Sequence, residues 1–328
     1  MKSKKLLAVA TCAALLAAPA AAMADSTDVN LYIGNGKVGG TAETGQVYIS
    51  DAGRAMVPLR LVGDVMGYTT EWQPDGSIHI TSADGSVDVT LSVGKADYTA
   101  NGVAGTFGTV PTLKDNRTYL PVRDFGEIYG SVSWDNDSRS VIVLGDEAQE
   151  FMVLGNRVVK VDAEGLHNLT LPADYKLTDK AVEMAKGRDL LSPRTFDGVT
   201  YMTVNYNGVV TGKVPLFRVD GDNLTYITDV NGGASYCVGS DGHVCYTEAL
   251  GAGAWTPGEH PTYLYVTQPS TEAGGQEKTD IYDVGFDVNQ YTLQMTDGQM
   301  TAVDQNGKVQ HTIDLSSMTP IKSINSQQ

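Results

Sequence analysis

The chain has 328 residues, 41% hydrophobic, 8% aromatic and 19% charged, which is enough apolar material for a buried core and too ordinary for disorder, collagen or a coiled coil. Lys and Arg number 23 against 39 Asp and Glu, a formal charge of -16, so neither a nucleic acid nor an anionic membrane surface is expected as a partner. The 36 glycines, 16 tyrosines and recurrent Asn-Gly and Asp-Gly pairs point to many strands joined by tight turns.

Lys2, Lys4 and Lys5 precede an apolar run from Leu6 to Ala18, and Ala22-Met23-Ala24 has the small-residue pattern of a cleavage site. Residues 1–24 are therefore expected to be a secretory signal peptide. The apolar run is too short to span a bilayer and no later stretch reaches ~20 apolar residues, so no membrane insertion is expected after signal cleavage. Cys12 follows Val9-Ala10-Thr11, where Thr11 replaces the small residue of a lipoprotein signal. The expected location is secreted, extracellular or associated with the cell wall.

An internal repeat organises the next part of the chain. Arg54-Ala55-Met56-Val57-Pro58-Leu59-Arg60 recurs about 63 residues later as Arg117-Thr118-Tyr119-Leu120-Pro121-Val122-Arg123. Gly67 or Gly130 follows each copy, then Trp72 or Trp134 in a strand-like run. Each copy reads as strand, short helix, strand. Pro58 and Pro121 suit a first helical turn, where a missing N–H costs nothing. Leu59, Val62, Val65 and Met66, and Val122, Phe125, Ile128 and Tyr129, recur at three- and four-residue spacing as one apolar face. Gly67 and Gly130 then read as left-handed caps, with Asp64, Asp124 and Glu127 on the solvated face. Arg60 and Arg123 read as fixed pairing or packing residues, with an anion-ligand role as the alternative. Trp72 and Trp134 read as core.

This paired signature resembles the copper amine oxidase N-terminal-like domain, a stalk domain of exported proteins of Gram-positive bacteria, over roughly Val29 to Gly145. The second copy, with Tyr119-Leu120-Pro121-Val122-Arg123 and Trp134-Asp135, fits best. The first has Gln73 where an acid is usual. The resemblance implies a small antiparallel sheet wrapped on a helix, serving as a spacer over residues 28–146.

Residues 145–150 form a short polar break, and residues 151–328 read as a different, β-rich domain. Strands are expected at Arg157–Val161, Val199–Tyr206, Leu216–Val219, Asn223–Thr228, Ala234–Val238, His243–Thr247, Thr262–Thr267, Tyr291–Thr296, Met300–Asp304 and Val309–Leu315, with one helix over Thr178–Lys186. The fold class expected is an α+β N-terminal domain of small antiparallel sheets and short helices in a two-copy repeat, then a mostly β domain that is propeller-like or a sandwich. Cys237 and Cys245 flank Ser240-Asp241-Gly242, a hairpin loop that sets them opposite one another as a candidate disulfide.

Catalytic signatures are missing. Thr203-Val204-Asn205-Tyr206-Asn207 only partly echoes the quinone motif of copper amine oxidases, and His79, His167, His243, His260 and His311 are scattered, so amine oxidase activity and a metal centre are not expected. Gly34-Asn35-Gly36-Lys37-Val38-Gly39 matches a dinucleotide pattern but reads as a hairpin turn at Asn35-Gly36, because no helix follows. No cofactor is expected. Trp255, in a Gly/Pro-rich loop, is the candidate ligand-binding residue, with Tyr263 and Tyr265 extending its surface. The expected function is a secreted, non-catalytic envelope or surface protein whose spacer presents a β-rich binding domain to an envelope polysaccharide or another surface protein. The alternative is a wall-associated hydrolase with a glycosidase-type carboxylate pair in the C-terminal half.

Overall fold

The computed structural model describes residues 29–40, 43–145, 149–184, 190–206, 212–247, 263–270, 276–296 and 298–327. The signal segment, Trp255, His260, Asn207 and the expected helix stop at Gly187 lie outside these residues.

The N-terminal part begins with a hairpin of β1 (Asn30–Ile33) and β2 (Gly36–Val38). Ile33 pairs with Gly36, so the turn is Gly34-Asn35, one residue earlier than expected, with Gly34 at φ +59. A first unit follows: β3 (Tyr48–Ile49), β4 (Ala55–Pro58), α1 (Leu59–Met66), β5 (Thr69–Trp72) and β6 (Ser77–Thr81). Strands β7 (Asp88–Ser92), β8 (Asp97–Ala100) and β9 (Val103–Thr106) extend β5–β6 into a five-stranded meander. A second unit contains β10 (Thr112–Lys114), β11 (Arg117–Pro121), α2 (Val122–Tyr129), β12 (Ser131–Asp135) and β13 (Ser140–Leu144). Strands β4 and β11 pair antiparallel with Val57 opposite Leu120, the same position of the two sequence copies. Both are fully buried, and Leu59, Val62, Ile78, Ile80, Ile128 and Tyr129 pack around them.

Several side chains of this part lie elsewhere than expected. Pro58 and Pro121 are the extended last residues of β4 and β11, and each helix starts one residue later. Gly67 is the left-handed cap expected, at φ 76 and ψ 23. Gly130 stands at φ 100 and ψ -149, a different conformation that is also reserved for glycine. Val65 is exposed, and the buried face of α1 is carried by Leu59, Leu61, Val62 and Gly63. Asp124 is buried, because its Oδ1 accepts the Gly108 N–H at 3.0 Å. Trp72 and Trp134 are not core residues: they are 45% and 39% exposed. Both lie on edge strands, and alternation in β12 turns Ser133 and Asp135 inward and Trp134 outward.

Strand β13 joins the two parts. It pairs parallel with β1 and is buried at all five positions, which explains its unbroken Ser-Val-Ile-Val-Leu run. Val141 and Val143 face the N-terminal core. Ile142 and Leu144 face Met152, Leu154, Val159 and Val161 of β14 (Glu150–Leu154) and β15 (Arg157–Asp162).

The C-terminal part is a run of antiparallel sheets. The first is β14, β15 and β16 (Gly165–Leu169). Helix α3 (Asp179–Met184) follows, and Thr178 caps it by accepting the Ala181 N–H at 3.1 Å. The second sheet is β17 (Leu191–Phe196), β18 (Val199–Val204), β19 (Lys213–Asp220) and β20 (Asn223–Asn231). The third is β21 (Tyr236–Val238), β22 (Val244–Tyr246), β23 (Tyr263–Gln268) and β24 (Gln276–Asp283). The fourth is β25 (Thr292–Thr296), β26 (Gln299–Val303) and β27 (Val309–Ile313), after which β28 (Lys322–Gln327) returns to pair with β24. Tight turns carry this topology, as at Gly221 and Gly307, both at positive φ.

Candidate functional site

A cavity of about 490 Å³ lies between the third and fourth sheets. One face of the third sheet supplies Cys245, Val266, Gln268, Lys278, Asp280 and Tyr282, and the β21–β22 turn adds Asp241 and His243. These residues share a face because β22, β23 and β24 are in register: Cys245 pairs with Val266, which pairs with Asp280. Met295, Met300, Ile313, Asp314 and Leu315 line the opposite side. The cavity is therefore apolar in its depth, with charged groups on its walls.

Those charges are organised in pairs. His243 Nδ1 lies 2.8 Å from Asp241 Oδ2, and the His243 N–H donates to Asp241 Oδ1 at 3.2 Å. Burial works against ionisation of Asp241, but these two contacts outweigh it and hold the carboxyl below the usual range. Lys278 Nζ donates to Asp280 Oδ2 at 2.8 Å, and the Ser323 hydroxyl donates to Asp280 Oδ1. Asp280 is likewise held low against its own burial, and Lys278 is raised by its hydrogen bond to Asp280. Asp314 accepts the Ser316 N–H at 3.0 Å and its hydroxyl at 2.6 Å. Such a wall offers acceptors, an ammonium and an imidazole to a polar ligand. It offers no general acid of the glycosidase kind in Asp241 or Asp280, whose shifts run the wrong way.

Cys237 and Cys245 face each other in the expected register as buried free thiols, Cys245 in the cavity wall itself. Their mutual hydrogen bond and burial push the Cys237 thiol up. Gly242, at φ +85, closes the three-residue turn between them. Tyr265 does not contribute to an exposed aromatic surface: it is half-buried and stacked on Tyr246 at 5.4 Å, on the face opposite the cavity. Lys213 lies over the Tyr246 ring at 4.5 Å and donates to its hydroxyl at 2.9 Å. Tyr263, also half-buried, starts the same strand and pairs with Asp283. Lys278 and Asp280 were not legible as site residues, because β24 is too rich in charge to read as a strand. The signal that could have found them is its alternation, with Glu277, Thr279 and Ile281 on one face and Lys278, Asp280 and Tyr282 on the other.

Another carboxylate neighbourhood lies between the second and third sheets. Glu277 is buried and accepts the Thr228 hydroxyl at 3.1 Å. Burial of the Asp229 carboxyl raises its pKa, Lys213 pulls it back and Glu277 raises it again, leaving it above the usual range.

A copper centre of three histidines does not fit these residues. His79 lies 2.9 Å from Asp88, His243 is held by Asp241, and His311 stacks on Phe286 at 3.8 Å. His167 lies between Asp162, at 3.4 Å, and Asp222, at 3.6 Å. Asp162, Glu164 and His167 form a group of metal-ligating type, but Lys160 already sits 2.9 Å from Asp162 as its counter-charge. Among the described residues no group brings two histidines together.

The repeat residues divide between framework and surface. Pro58, Pro121, Gly67 and Gly130 bound the helices, while Arg60 and Arg123 are exposed at their starts. The Arg60 guanidinium lies 4.5 Å above the Trp72 ring.

The fold thus defines a β-rich protein of two joined parts, an N-terminal part of small sheets with two short helices and a C-terminal part of stacked antiparallel sheets. Residues 35–143, about a third of the chain, match the family model described as copper amine oxidase N-terminal domain. No curated protein matches the chain.

Proposed function

We propose that this chain is an exported, non-catalytic envelope or surface protein. Its N-terminal two-copy domain, residues 28–146, acts as a stalk-like spacer, and residues 151–328 bind an envelope polysaccharide or another surface protein. The observation that carries this reading is the join of a copper amine oxidase N-terminal-like domain, through a shared core at Ile142 and Leu144, to a β-rich part with its own ligand-sized cavity. In an oxidising compartment the opposed thiols of Cys237 and Cys245 lose two protons and two electrons to a disulfide oxidant and close a bond. Directly paired residues of antiparallel strands lie about 4.5–5.5 Å apart at Cα, inside the range a disulfide spans.

Sedimentation of the full chain with isolated cell walls tests the binding role. Retention that drops at least fivefold in Lys278→Ala and Asp280→Asn places the ligand in the cavity. No retention removes the wall from the reading and leaves a soluble surface protein as the partner to seek.

The alternative, a glycan hydrolase, is favoured by one observation: the raised carboxyl of Asp229 beside buried Glu277. Release of reducing ends from wall glycan, abolished in both Asp229→Asn and Glu277→Gln, would establish it. Absence of release by the full chain excludes wall glycan as its substrate.

A further inference from the structure

We infer that the N-terminal domain binds an acidic saccharide, a sugar unit bearing a carboxylate, in a cavity of about 300 Å³ walled by Arg60, Trp72, Arg117 and Thr118. This gives the spacer a ligand of its own, independent of the C-terminal cavity.

Three features point to a ligand. Thr118 is 3% exposed, lines the cavity, and its hydroxyl has no hydrogen-bond partner. A buried hydroxyl left unsatisfied is a cost that native folds avoid, and a ligand hydroxyl or carboxylate would remove it. Arg60 has no ion-pair partner among the described residues, and its guanidinium carbon lies 4.5 Å from the centre of the Trp72 ring. A planar guanidinium presents a fork that matches a carboxylate in two parallel hydrogen bonds. Trp72, 45% exposed on an edge strand, offers indole surface of the kind that packs on the C–H face of a sugar ring.

The surrounding charge agrees. Arg117 is held in the wall by donating Nε–H to the Glu43 carbonyl at 2.9 Å and Nη1–H to the Asp115 carbonyl at 2.8 Å. Two guanidinium groups therefore face one carboxylate, that of Glu43, in a chain whose formal charge is -16. A locally positive cavity in so acidic a protein selects an anionic ligand, and its small volume limits the seat to about one sugar ring. The second sequence copy has Arg123 at the position of Arg60, but no ring contact of that kind is found for it among the described residues.

Isothermal titration of the full chain with trigalacturonate tests this, with maltotriose as the neutral counterpart and inorganic phosphate as the bare anion. Trigalacturonate is expected to bind at least tenfold more tightly than either, with affinity falling as salt rises. Arg60→Gln, Trp72→Ala and Thr118→Val should each weaken it at least fivefold, while Arg123→Gln leaves it unchanged. Thr118→Val serves as the folding control, because replacing an unsatisfied hydroxyl by a methyl should keep or raise the melting temperature. Equal binding of maltotriose, phosphate binding as tight as trigalacturonate, or an unaltered Arg60→Gln overturns the assignment.

Discussion

Asp135 and Arg157 form an ion pair across the join between the two parts of the chain, with Arg157 Nη2 2.5 Å from Asp135 Oδ2. Ser138 donates its backbone N–H to the same oxygen at 3.0 Å, and its hydroxyl donates there too. Asp135 is the acid of the second Trp-Asp motif. The first copy has Gln73 at that place, a neutral side chain with no charge to pair. The acid therefore acts in tertiary structure, holding the N-terminal part to the C-terminal part together with the apolar contact of Ile142 and Leu144.

Removing one partner should show this. Asp135→Ala leaves the guanidinium of Arg157 facing a buried, emptied position, and is expected to cost about 2–3 kcal/mol, less than a fully buried pair because Arg157 retains some water. Urea unfolding of the full chain measures it. A change below about 0.5 kcal/mol would mean that the apolar contact holds the join by itself.

The same pair fixes a pH response. Burial opposes ionisation of Asp135, yet Ser138 and Arg157 together bring its pKa below the usual value. A carboxyl with a folded pKa below its unfolded value of about 3.9 adds stability that is complete above that value and lost as pH falls through the folded one. Wild-type protein should therefore lose more stability between pH 5 and pH 2 than Asp135→Asn. Equal slopes for the two proteins would remove Asp135 from the acid transition.

Trp72 gives a prediction opposite to the one its motif suggests. A core tryptophan replaced by alanine costs about 3–5 kcal/mol. On an edge strand, with its main partner an exposed arginine, Trp72→Ala is expected to cost about 1 kcal/mol. Thermal unfolding distinguishes these magnitudes, and a core-sized loss would show that the ring supports the β5–β6 hairpin.

The cysteine pair should be chemically silent while the fold is intact. The thiolate is the reactive form, and in the reduced protein both sulfurs are buried, with Cys237 raised by its neighbour and by burial. Iodoacetamide at pH 8 is expected to label reduced native protein at least a hundredfold more slowly than denatured protein. Oxidised protein should weigh two hydrogens less and take no label until it is both reduced and unfolded. Rapid labelling of the native form would mean that the β21–β22 hairpin opens on its own.

Local patterns in the sequence reached far into the fold. The presence of two short helices directly after Pro58 and Pro121, the Gly67 cap, the Thr178 cap and the Cys237–Cys245 register are set by neighbours within a few residues, where backbone sterics and side-chain period decide. Strands such as β15, β18 and β26 showed in their alternation, and β13 in its unbroken apolar run. Strands β16, β17, β24 and β28 did not show, because charged and polar residues interrupt them and their pairing with neighbours supplies the order, while β14, apolar from Phe151 to Leu154, lies directly against the polar break at 145–150.

Neighbouring residues along the chain were thus enough for the turns, the periodicities, the acidic charge balance and the N-terminal family match. The packing of distant segments was needed to put Trp72 and Trp134 outside and Asp124 inside, to bring Asp135 to Arg157, and to gather Lys278, Asp280 and His243 on one wall. Alternation assigns a side chain to one of two faces but not to the element that covers that face. Stacking of whole sheets makes that choice, and it depends on residues well beyond one another's local neighbourhood, such as Asp135 and Arg157, 22 positions apart.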